Sequence, residues 1–336
     1  MIRVIQLGLG EIGRRTIDAL LVQSKRAKLV GVIDINPAFM GKSLREVMGG
    51  RKDVPALIVA GSIQEVIKRT KGSLAGAVAI MTTGSRTEVV AKTVQELIAA
   101  GMHVVSSCEE LAFPNLRAAG IAAALDKAAK RRGVAILSTG VNPGFVMDAF
   151  ALACTAPCTV VRHIKVIRSL DASKRRFQLQ KKVGAGMSVA EVKKMIRQNV
   201  IGHVGLSESV AMIAAGLGWK LSDIREKFAP VIADHAVSSD HIRIHPGQVR
   251  GMSMRAAGFV AGKKRIELDL LMAFGADTFD EVLIDGTPPL HIRSQSGFPG
   301  EASTIGMLVN CARIAPALEP GMRTMMDVLK VRSVGL

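Results

Sequence analysis

A glycine-rich turn between an apolar strand and a helix constrains the fold more than any other feature of this chain. Residues 1–7 are mostly β-branched and apolar, the motif at 8–13 has the G-x-G-x-x-G spacing, and 14–23 follow a helical pattern. A second strand at 29–33 ends at Asp34. Strand, glycine turn, helix, strand and acid occur here in the order that a dinucleotide-binding βαβ unit requires.

The glycines of this turn each have a physical role in holding a nucleotide. Gly8 permits the tight turn, Gly10 lets the backbone approach a pyrophosphate, and Gly13 allows the helix and the strand to pack closely. The helix N-terminus offers N–H groups and the positive end of its dipole to the phosphates. Asp34 lies about 20 residues past the turn, where its carboxylate can accept bonds from the ribose hydroxyls and repel a 2′-phosphate. The expected cofactor is therefore NAD, with NADP as the alternative.

Length and composition indicate a globular protein of two domains. The chain has 336 residues, 49% of them hydrophobic, and no apolar run long enough to span a bilayer. The first strand begins at the N-terminus and leaves no room for a signal peptide. The four cysteines suit reduced thiols, so we expect a cytoplasmic protein. Cys154 and Cys158 lack a second pair at zinc spacing, and His241 and His245 have no partner acids, so no metal site is expected.

The net charge of +17 raises the alternative of a nucleic-acid partner. The basic clusters are short and scattered, at 131–132, 174–176, 181–182 and 263–265. Aromatic residues make up only 3% of the chain, and the clusters are not interleaved with the stacking rings that single-strand binders use. We therefore expect no specific nucleic-acid partner, only non-specific binding to polyanions at low salt.

Strands continue to alternate with helices as far as residue 138, which predicts a doubly wound parallel sheet. Further strands are expected at 56–60, 75–81, 103–107 and 135–138, with helices at 63–69, 88–100 and 115–131. We assign 1–144 to this Rossmann domain and expect a C-terminal helix, in about 299–336, to complete it.

The turns that follow these strands are the expected ligand-binding positions, because ligands bind beyond the carboxyl ends of parallel strands. They lie at 82–85, 108–110 and 140–144. Besides the first turn, with Glu11 and Ile12 at the start of its helix, we expect the cofactor to contact Thr83, Gly84 and Cys108.

The pattern changes after residue 144 and predicts an α+β substrate-binding and dimerisation domain at 145–298. Strands are expected at 159–169, 241–245, 249–260, 264–274, 282–284 and 291–293, and helices at 188–199 and 204–217. The turn at 262–263 predicts an antiparallel hairpin. An open mixed sheet with few covering helices commonly buries one face against another subunit, so we expect a homodimer.

Glu109 and Glu110 follow a central strand and are the leading candidates for chemistry. On an extended chain adjacent side chains point in opposite directions, so one carboxylate can face the cofactor while the other faces solvent. A carboxylate beside a nicotinamide can act as a base or stabilise a cation. The alternative is a pair of ordinary surface acids.

Three other polar residues have both a functional and a structural interpretation. The Asn142 amide lies in a rigid Asn-Pro-Gly turn and can bond a ligand, or simply shape the turn. Arg168 shares a strand face with apolar residues and therefore needs a partner, either a protein carboxylate or a substrate group. His203 precedes a helix, where it can cap or pack, or bind substrate.

These residues belong to a series of motifs that resembles one known family. The motifs are the glycine turn at 8–13, SSCEEL at 106–111, GVNPGF at 140–145, GHVGLSES at 202–209, and GFPGEAST at 297–304 with Asn310. In this order they resemble the 2,4-diaminopentanoate dehydrogenases and the related native amine dehydrogenases, over about residues 1–330. The chain is more distantly similar to dihydrodipicolinate reductase.

The resemblance implies an NAD(P)-dependent enzyme that interconverts an amine with a ketone or aldehyde plus ammonia. It implies that Glu109 is the catalytic carboxylate, that Asn142, Arg168 and His203 line the substrate pocket, and that Asn310 lies at the cofactor. Two positions depart from the family pattern. Glu301 stands where aspartate is usual, and Leu170 stands where a polar residue is expected. Both departures favour an amine less polar than a diamino acid.

Two alternatives remain open from the sequence. A dihydrodipicolinate-reductase-like enzyme would reduce a cyclic imine and needs several basic residues around a dicarboxylate, but no close basic run follows the Asn142 turn. A cofactor-binding regulator without turnover would share the same fold, and an activity test separates it.

Overall fold

Six parallel strands form the centre of the first of two units, as the alternating sequence pattern predicts. In this computed structural model, which describes residues 1–70, 73–330 and 332–333, the first unit contains 1–145 and 299–328. Its strands are β1 (Ile2–Leu7), β2 (Ala27–Ile33), β3 (Val78–Met81), β4 (His103–Ser106), β5 (Ala135–Ser138) and β14 (Gly321–Arg323). They are ordered β14-β5-β4-β3-β1-β2, and every pair is parallel. The predicted Rossmann fold is confirmed.

Helices flank this sheet, and its central strands are buried along their whole length. The helices are α1 (Glu11–Val22), α2 (Leu44–Val47), α3 (Ile63–Thr70), α4 (Thr87–Ala99), α5 (Ala119–Arg132), α10 (Gly300–Ile314) and α11 (Met325–Val328). All four residues of β3, β4 and β5 are buried, as expected of parallel strands covered on both faces. Helix α10, from the C-terminal part of the chain, packs against α1 and approaches β3 and β4.

The strand predicted at 56–60 is wrong. This stretch makes two isolated bridges, from Ile58 to Ser43 and from Ala60 to Ile33. Val59 exchanges backbone hydrogen bonds with Gly41 and Lys42, while Ala60 bonds to the end of β2. The segment therefore divides its bonds between two neighbours and builds no ladder with either.

The second unit, 146–298 with the described residues from 329 onward, contains a mixed open sheet, as predicted. Its strands are β6 (Val160–Asp171), β7 (Leu221–Ile232), β8 (Val237–Ser238), β9 (Arg243–Ile244), β10 (Val249–Val260), β11 (Lys263–Ala273), β12 (Phe279–Thr287) and β13 (Leu290–Ser294). Six of them form one sheet, ordered β13-β12-β6-β11-β10-β7, in which β6 and β11 are parallel and the other pairs antiparallel. The helices are α6 (Ala149–Cys154), α7 (Phe177–Lys182), α8 (Val189–Arg197) and α9 (Leu206–Gly216).

One face of the second sheet is covered by α9, and the other carries ion pairs between neighbouring strands. Almost all of α9 is buried, and it packs on β7, β10 and β11. On the other face the pairs include His163–Glu267 at 3.1 Å, Lys165–Asp269 at 3.4 Å and Arg293–Glu281 at 3.5 Å. This face is thus polar along its middle strands rather than apolar.

The sequence interpretation omitted β7, a twelve-residue edge strand. It contains Pro230 and a run of charged residues, so it lacks the apolar alternation that predicted the other strands. An edge strand tolerates both features because one of its sides makes no ladder bonds and its outer residues face water. Pro230 pairs with Met252 of β10 without breaking the sheet.

The end of the chain also differs from the expectation that 299–336 as a whole completes the first unit. The Arg332 guanidinium donates to the Gly216 carbonyl at 2.9 Å, and the Ser333 amide donates to Thr155 Oγ1 at 3.0 Å. These described residues therefore belong to the second unit. Residues 331 and 334–336 lie outside the described part of the chain. No helix in the described ranges has the length and apolar character needed to cross a membrane.

Candidate active site

The glycine turn after β1 has the geometry that a pyrophosphate needs. Gly8 has φ +86°, and its amide donates to the Ile33 carbonyl at 2.9 Å. A Cβ added at Gly13 would lie 1.9 Å from the Gly8 carbonyl oxygen, so only glycine permits this approach of helix and turn. A Cβ added at Gly10 would meet no described atom within 4 Å, so the space before the N-terminus of α1 is open. These features fit a dinucleotide, and Glu11 and Ile12 form the helix start beside that space.

Asp34 fixes the end of β2 to the glycine turn. Its carboxylate accepts the Leu9 amide at 2.5 Å and the Asn36 amide at 2.8 Å. The side chain is half-buried. A carboxylate held in this way stays close to the turn, which is the position from which an acid can reach a ribose.

The turn after β3 is connected to the glycine turn by a buried glutamine that the sequence interpretation did not single out. The Gln6 side-chain amide donates to the Gly8 carbonyl and to Thr82 Oγ1, both at 3.0 Å. Thr83, next along the turn, is exposed, and Gly84 is half-buried. Because β1 and β3 are parallel neighbours, both turns lie at the carboxyl edge of the sheet.

The turn after β4 gives the two adjacent glutamates different surroundings. Glu109 has helical dihedrals, φ −61° and ψ −43°, and leads into a 3-10 turn at Glu110–Ala112. The expectation of an extended chain here is therefore wrong, because the chain bends as soon as β4 ends. The Glu110 carboxylate accepts the Thr87 amide at 2.8 Å, at the first residue of α4. Glu109 is half-buried at the same carboxyl edge.

Cys108 is a buried thiol rather than a reactive one. It exposes none of its surface, which argues against the direct cofactor contact expected from the sequence. Burial, with a smaller contribution from Glu109 and Glu110, raises the pKa of the Cys108 thiol to about 12. It stays protonated near neutral pH and cannot supply a nucleophilic thiolate.

The turn after β5 holds Asn142, which is 8% exposed. The Asn142–Pro143 peptide bond is cis, and Gly144 has φ +115°. A Cβ on Gly144 would lie 2.6 Å from the Gly140 amide nitrogen, so the turn closes tightly on itself. The Val141 amide donates to Thr304 Oγ1 at 3.1 Å, which ties the turn to α10.

Thr304, the last residue of the GFPGEAST motif, thus contacts the turn that holds Asn142. Helix α10 also carries Asn310, which is exposed. The sequence interpretation named Asn310 but gave Thr304 no role. The only available signal was its place in a motif, because the contact joins residues that are 163 positions apart.

Arg168, in the second unit, forms a buried ion pair. Its guanidinium donates to both carboxylate oxygens of Asp280 at 2.8 Å and to the Phe298 carbonyl at 2.8 Å. The Phe298 amide donates back to Asp280 at 2.7 Å. Burial raises the pKa of Asp280, and Arg168 opposes that shift. The protein carboxylate that the sequence left as one alternative is therefore present.

Arg168 and His203 lie over the same face of the second sheet. Arg168 pairs in register with Leu270, and Leu270 pairs with Met254 on the next strand. The Met254 sulfur accepts the His203 amide at 3.2 Å. Leu170 begins the next row of the same face, with Met272 and Met252, and all three side chains are buried and apolar.

Asp280 was missed because the expected strand began at 282. In the observed β12 it pairs with Arg168 and alternates with Val282 and Ile284 on the covered face. The signal was an acid two residues before an apolar alternating run, which is the complement that a buried arginine requires.

For metals, the described residues contain no group of three or more His, Cys, Asp and Glu side chains able to hold an ion.

The fold and the glycine turn at 8–13 define a dinucleotide-dependent oxidoreductase. The Glu109 carboxylate lies at the same carboxyl edge of the sheet as this turn. Comparison with known proteins specifies the family. The model of the 2,4-diaminopentanoate dehydrogenase C-terminal domain matches residues 145–334. The chain belongs to the 2,4-diaminopentanoate dehydrogenase family.

Individual relatives cover almost the whole chain. The 2,4-diaminopentanoate dehydrogenase of Acetoanaerobium sticklandii is 31% identical over 344 residues, which is 99% of this chain and 95% of that protein. The amine dehydrogenase from Mycobacterium smegmatis matches with a TM-score of 0.80 and 22% identity, over 96% of this chain and 95% of that one. Dihydrodipicolinate reductase from Paenisporosarcina sp. TG-14, with dipicolinate bound, matches with a TM-score of 0.51 and 13% identity, over 98% and 99%. The two structures share the fold with this chain.

Proposed function

We propose that this protein is an NAD(P)-dependent amine dehydrogenase, which interconverts a primary amine with a ketone or aldehyde plus ammonia. The observation that carries the proposal is a half-buried carboxylate, Glu109, at the sheet edge that also bears the nucleotide turn. Full-length similarity to a 2,4-diaminopentanoate dehydrogenase supports the same chemistry. When bound, NAD(P) supplies the hydride acceptor or donor.

The reaction places specific demands on the residues of this chain. The turn at Gly8, Gly10 and Gly13 and the N-terminus of α1 would hold the pyrophosphate, and Asp34 would hold the adenosine ribose. Oxidation of the amine develops positive charge on the substrate carbon and nitrogen. The Glu109 carboxylate stabilises that cation and moves protons to and from the nitrogen and the incoming water.

The substrate we propose is less polar than a diamino acid. In the second unit, the guanidinium of Arg168 already binds Asp280 and Phe298, so it is largely neutralised within the protein. The neighbouring row on the same face consists of Leu170, Met272 and Met252. A substrate carboxylate would have to compete with Asp280 for Arg168 and would find no polar group in that row, whereas an alkyl group suits it. Asn142, Arg168 and His203 remain the proposed lining of the pocket.

We also propose that the protein is a cytoplasmic homodimer that prefers NAD. All four cysteines are free thiols, which suits a reducing compartment. The sheet of the second unit has a face without a covering helix among the described elements, and a second subunit is its proposed partner.

Reductive amination tests the proposed function directly. A panel of ketones and aldehydes is incubated with ammonia and NADH, and oxidation of the cofactor is followed at its absorbance band. We expect turnover of apolar ketones or aldehydes, with the keto acids that correspond to 2,4-diaminopentanoate much poorer. Turnover confined to cyclic imine dicarboxylates would replace the proposal with an imine reductase, and cofactor binding without turnover would make the protein a regulator.

A further inference from the structure

Glu110 links the turn after β4 to the turn after β3 by two hydrogen bonds. Its carboxylate accepts the Thr87 amide at 2.8 Å, and its own amide donates to the Ser85 carbonyl at 3.2 Å. Thr87 is the first residue of α4, where backbone amides have no partner within the helix. The Glu110 carboxylate therefore acts as a helix cap supplied from a neighbouring turn, not from the residue before the helix.

The other side of Glu109 is held just as firmly. Ser138 Oγ lies 2.6 Å from the Cys108 carbonyl and 2.9 Å from the Ser106 carbonyl, both of which can accept its hydrogen bond. The Cys108 amide donates to Ser106 Oγ at 3.0 Å. Ser106, Cys108 and Ser138 are all buried. The residue before Glu109 is thus fixed from β4 and β5, and the residue after it from the α4 side.

We propose that Glu110 is a positioning residue that fixes the Glu109 backbone and the turn at 82–86, so that the carboxylate and the cofactor-binding turn keep one geometry. The proposal rests on the proposed function of Glu109. Its physical basis is that a misplacement of about 1 Å in a catalytic group can cost about 10²-fold in rate. Glu110 needs no contact with substrate or cofactor for this role.

The hydrogen bond to Thr87 also argues against a catalytic role for the Glu110 carboxylate beside that of Glu109. One of its oxygens accepts the Thr87 amide, and this hydrogen bond fixes the carboxylate at the start of α4. A residue that serves by accepting one hydrogen bond can be replaced by glutamine, whose carbonyl oxygen also accepts. A residue that serves by its charge or by proton transfer cannot.

Three variants of the full-length protein separate these roles. Glu110→Ala removes the acceptor, Glu110→Gln keeps an acceptor and removes the charge, and Glu88→Ala removes another acid from the first turn of α4 as the matched control. Each is assayed for kcat, for KM toward NAD and amine, and for backbone amide exchange with NAD bound.

We expect Glu110→Ala to lower kcat by about 10- to 100-fold with a much smaller change in KM for NAD. Glu110→Gln restores kcat to near the wild-type value, and Glu88→Ala leaves it unchanged. Amide exchange at Thr87 accelerates in Glu110→Ala alone, since only that variant lacks the acceptor of the Thr87 amide.

Several results would overturn the proposal. Wild-type kcat in Glu110→Ala removes the positioning role. A loss in Glu110→Gln as large as in Glu110→Ala makes the charge itself necessary, so Glu110 would be a chemical group. If the wild-type protein turns over no amine, the proposed function fails, and amide exchange still decides the linkage. Unchanged exchange at Thr87 in Glu110→Ala then rejects it.

Discussion

The turn after β4 and the centre of the second sheet both bring charged side chains into protein interiors, and they use them differently. Arg168 and Asp280 are almost completely buried, 3% and 4% exposed, and they bind each other and Phe298. Glu109 and Glu110 stay half-buried, and the Glu110 carboxylate accepts a backbone amide at the start of α4. In the second sheet, the paired charges of Arg168 and Asp280 hold two strands and the segment at Phe298 together. In the turn after β4, the Glu110 carboxylate binds the start of α4 and thereby holds the turn that carries Glu109.

The comparison shows that a charged residue at a buried position indicates first a need for a partner of opposite charge, and only then a function. A buried guanidinium requires a carboxylate wherever it lies, so Arg168 alone does not identify a substrate site. A half-buried carboxylate at the carboxyl edge of a parallel sheet lies where ligands bind and is the better candidate for chemistry. Substitutions in the two regions should therefore change different quantities.

The largest expected effect is the loss of stability in Arg168→Met. Removing one partner of a buried pair leaves the other charge uncompensated and typically costs about 3–5 kcal/mol. Denaturant unfolding measures this, with Lys165→Met on the open face of the same strand as the control. The surface ion pair between Lys165 and Asp269, 3.4 Å apart, should contribute less than about 1 kcal/mol to the free energy of unfolding.

The same variant has a pH dependence of known sign. Burial already raises the pKa of Asp280, and removal of Arg168 raises it further. A carboxyl with a higher pKa in the folded than in the unfolded state binds its proton preferentially when folded. The stability of Arg168→Met should therefore increase as the pH falls through the raised pKa of Asp280 toward the lower pKa of the unfolded state. Unchanged stability with an altered KM would instead give Arg168 a direct role in substrate binding.

The next effect is catalytic and belongs to Glu109. Glu109→Gln keeps the shape but removes the charge and the base, so kcat should fall by at least about 10²-fold, equivalent to about 2.7 kcal/mol. Thermal stability and the Kd for NAD should stay near wild type. Equal activity of Glu109→Gln and the wild-type protein would reject the carboxylate mechanism.

A smaller effect is expected at the nucleotide turn. Asp34→Asn removes the charge that repels a 2′-phosphate and leaves an amide oxygen that can still accept a backbone amide. The ratio of kcat/KM for NAD to that for NADP should fall by about tenfold, in line with the loss of one charge-assisted interaction. A wild-type preference for NADP would contradict the assignment, and Arg14, Arg15, Lys42 and Arg45 would be the residues to examine.

The smallest effect concerns the net charge of +17. Residues 174–197 contain eight Lys and Arg side chains and one acid, Glu191, whose carboxylate is engaged at Ser188. We expect weak binding to duplex DNA at low salt that disappears near physiological ionic strength. Fluorescence anisotropy against a salt series measures it, and a complex that survives salt and depends on sequence would add a nucleic-acid function.

The first unit could be predicted from sequence because its signals are local. A strand, a glycine turn and a helix specify the neighbouring strand within about 30 residues, and strands that alternate with helices specify a parallel sheet. The second unit depends on contacts between distant residues. Arg168 and Asp280 are 112 positions apart, and β7 was omitted because this edge strand carries charged residues and a proline. Within the site, the motif at 106–111 was enough to select Glu109 as the candidate carboxylate. The helix cap formed by Glu110 depends on a bend in the chain that no sequence pattern predicted.

The position of β14 in the sheet has a consequence for synthesis of the chain. This strand pairs with β5 at the edge of the first unit, yet it lies at Gly321–Arg323. A ribosome that adds about 5–20 residues per second needs about 10–35 s to proceed from residue 145 to β14. During that interval the nascent sheet presents β5 with its outer backbone groups unpaired, the arrangement that recruits foreign strands. The first unit therefore begins to emerge first, but its sheet is completed only after residues 146–298 of the second unit have been made.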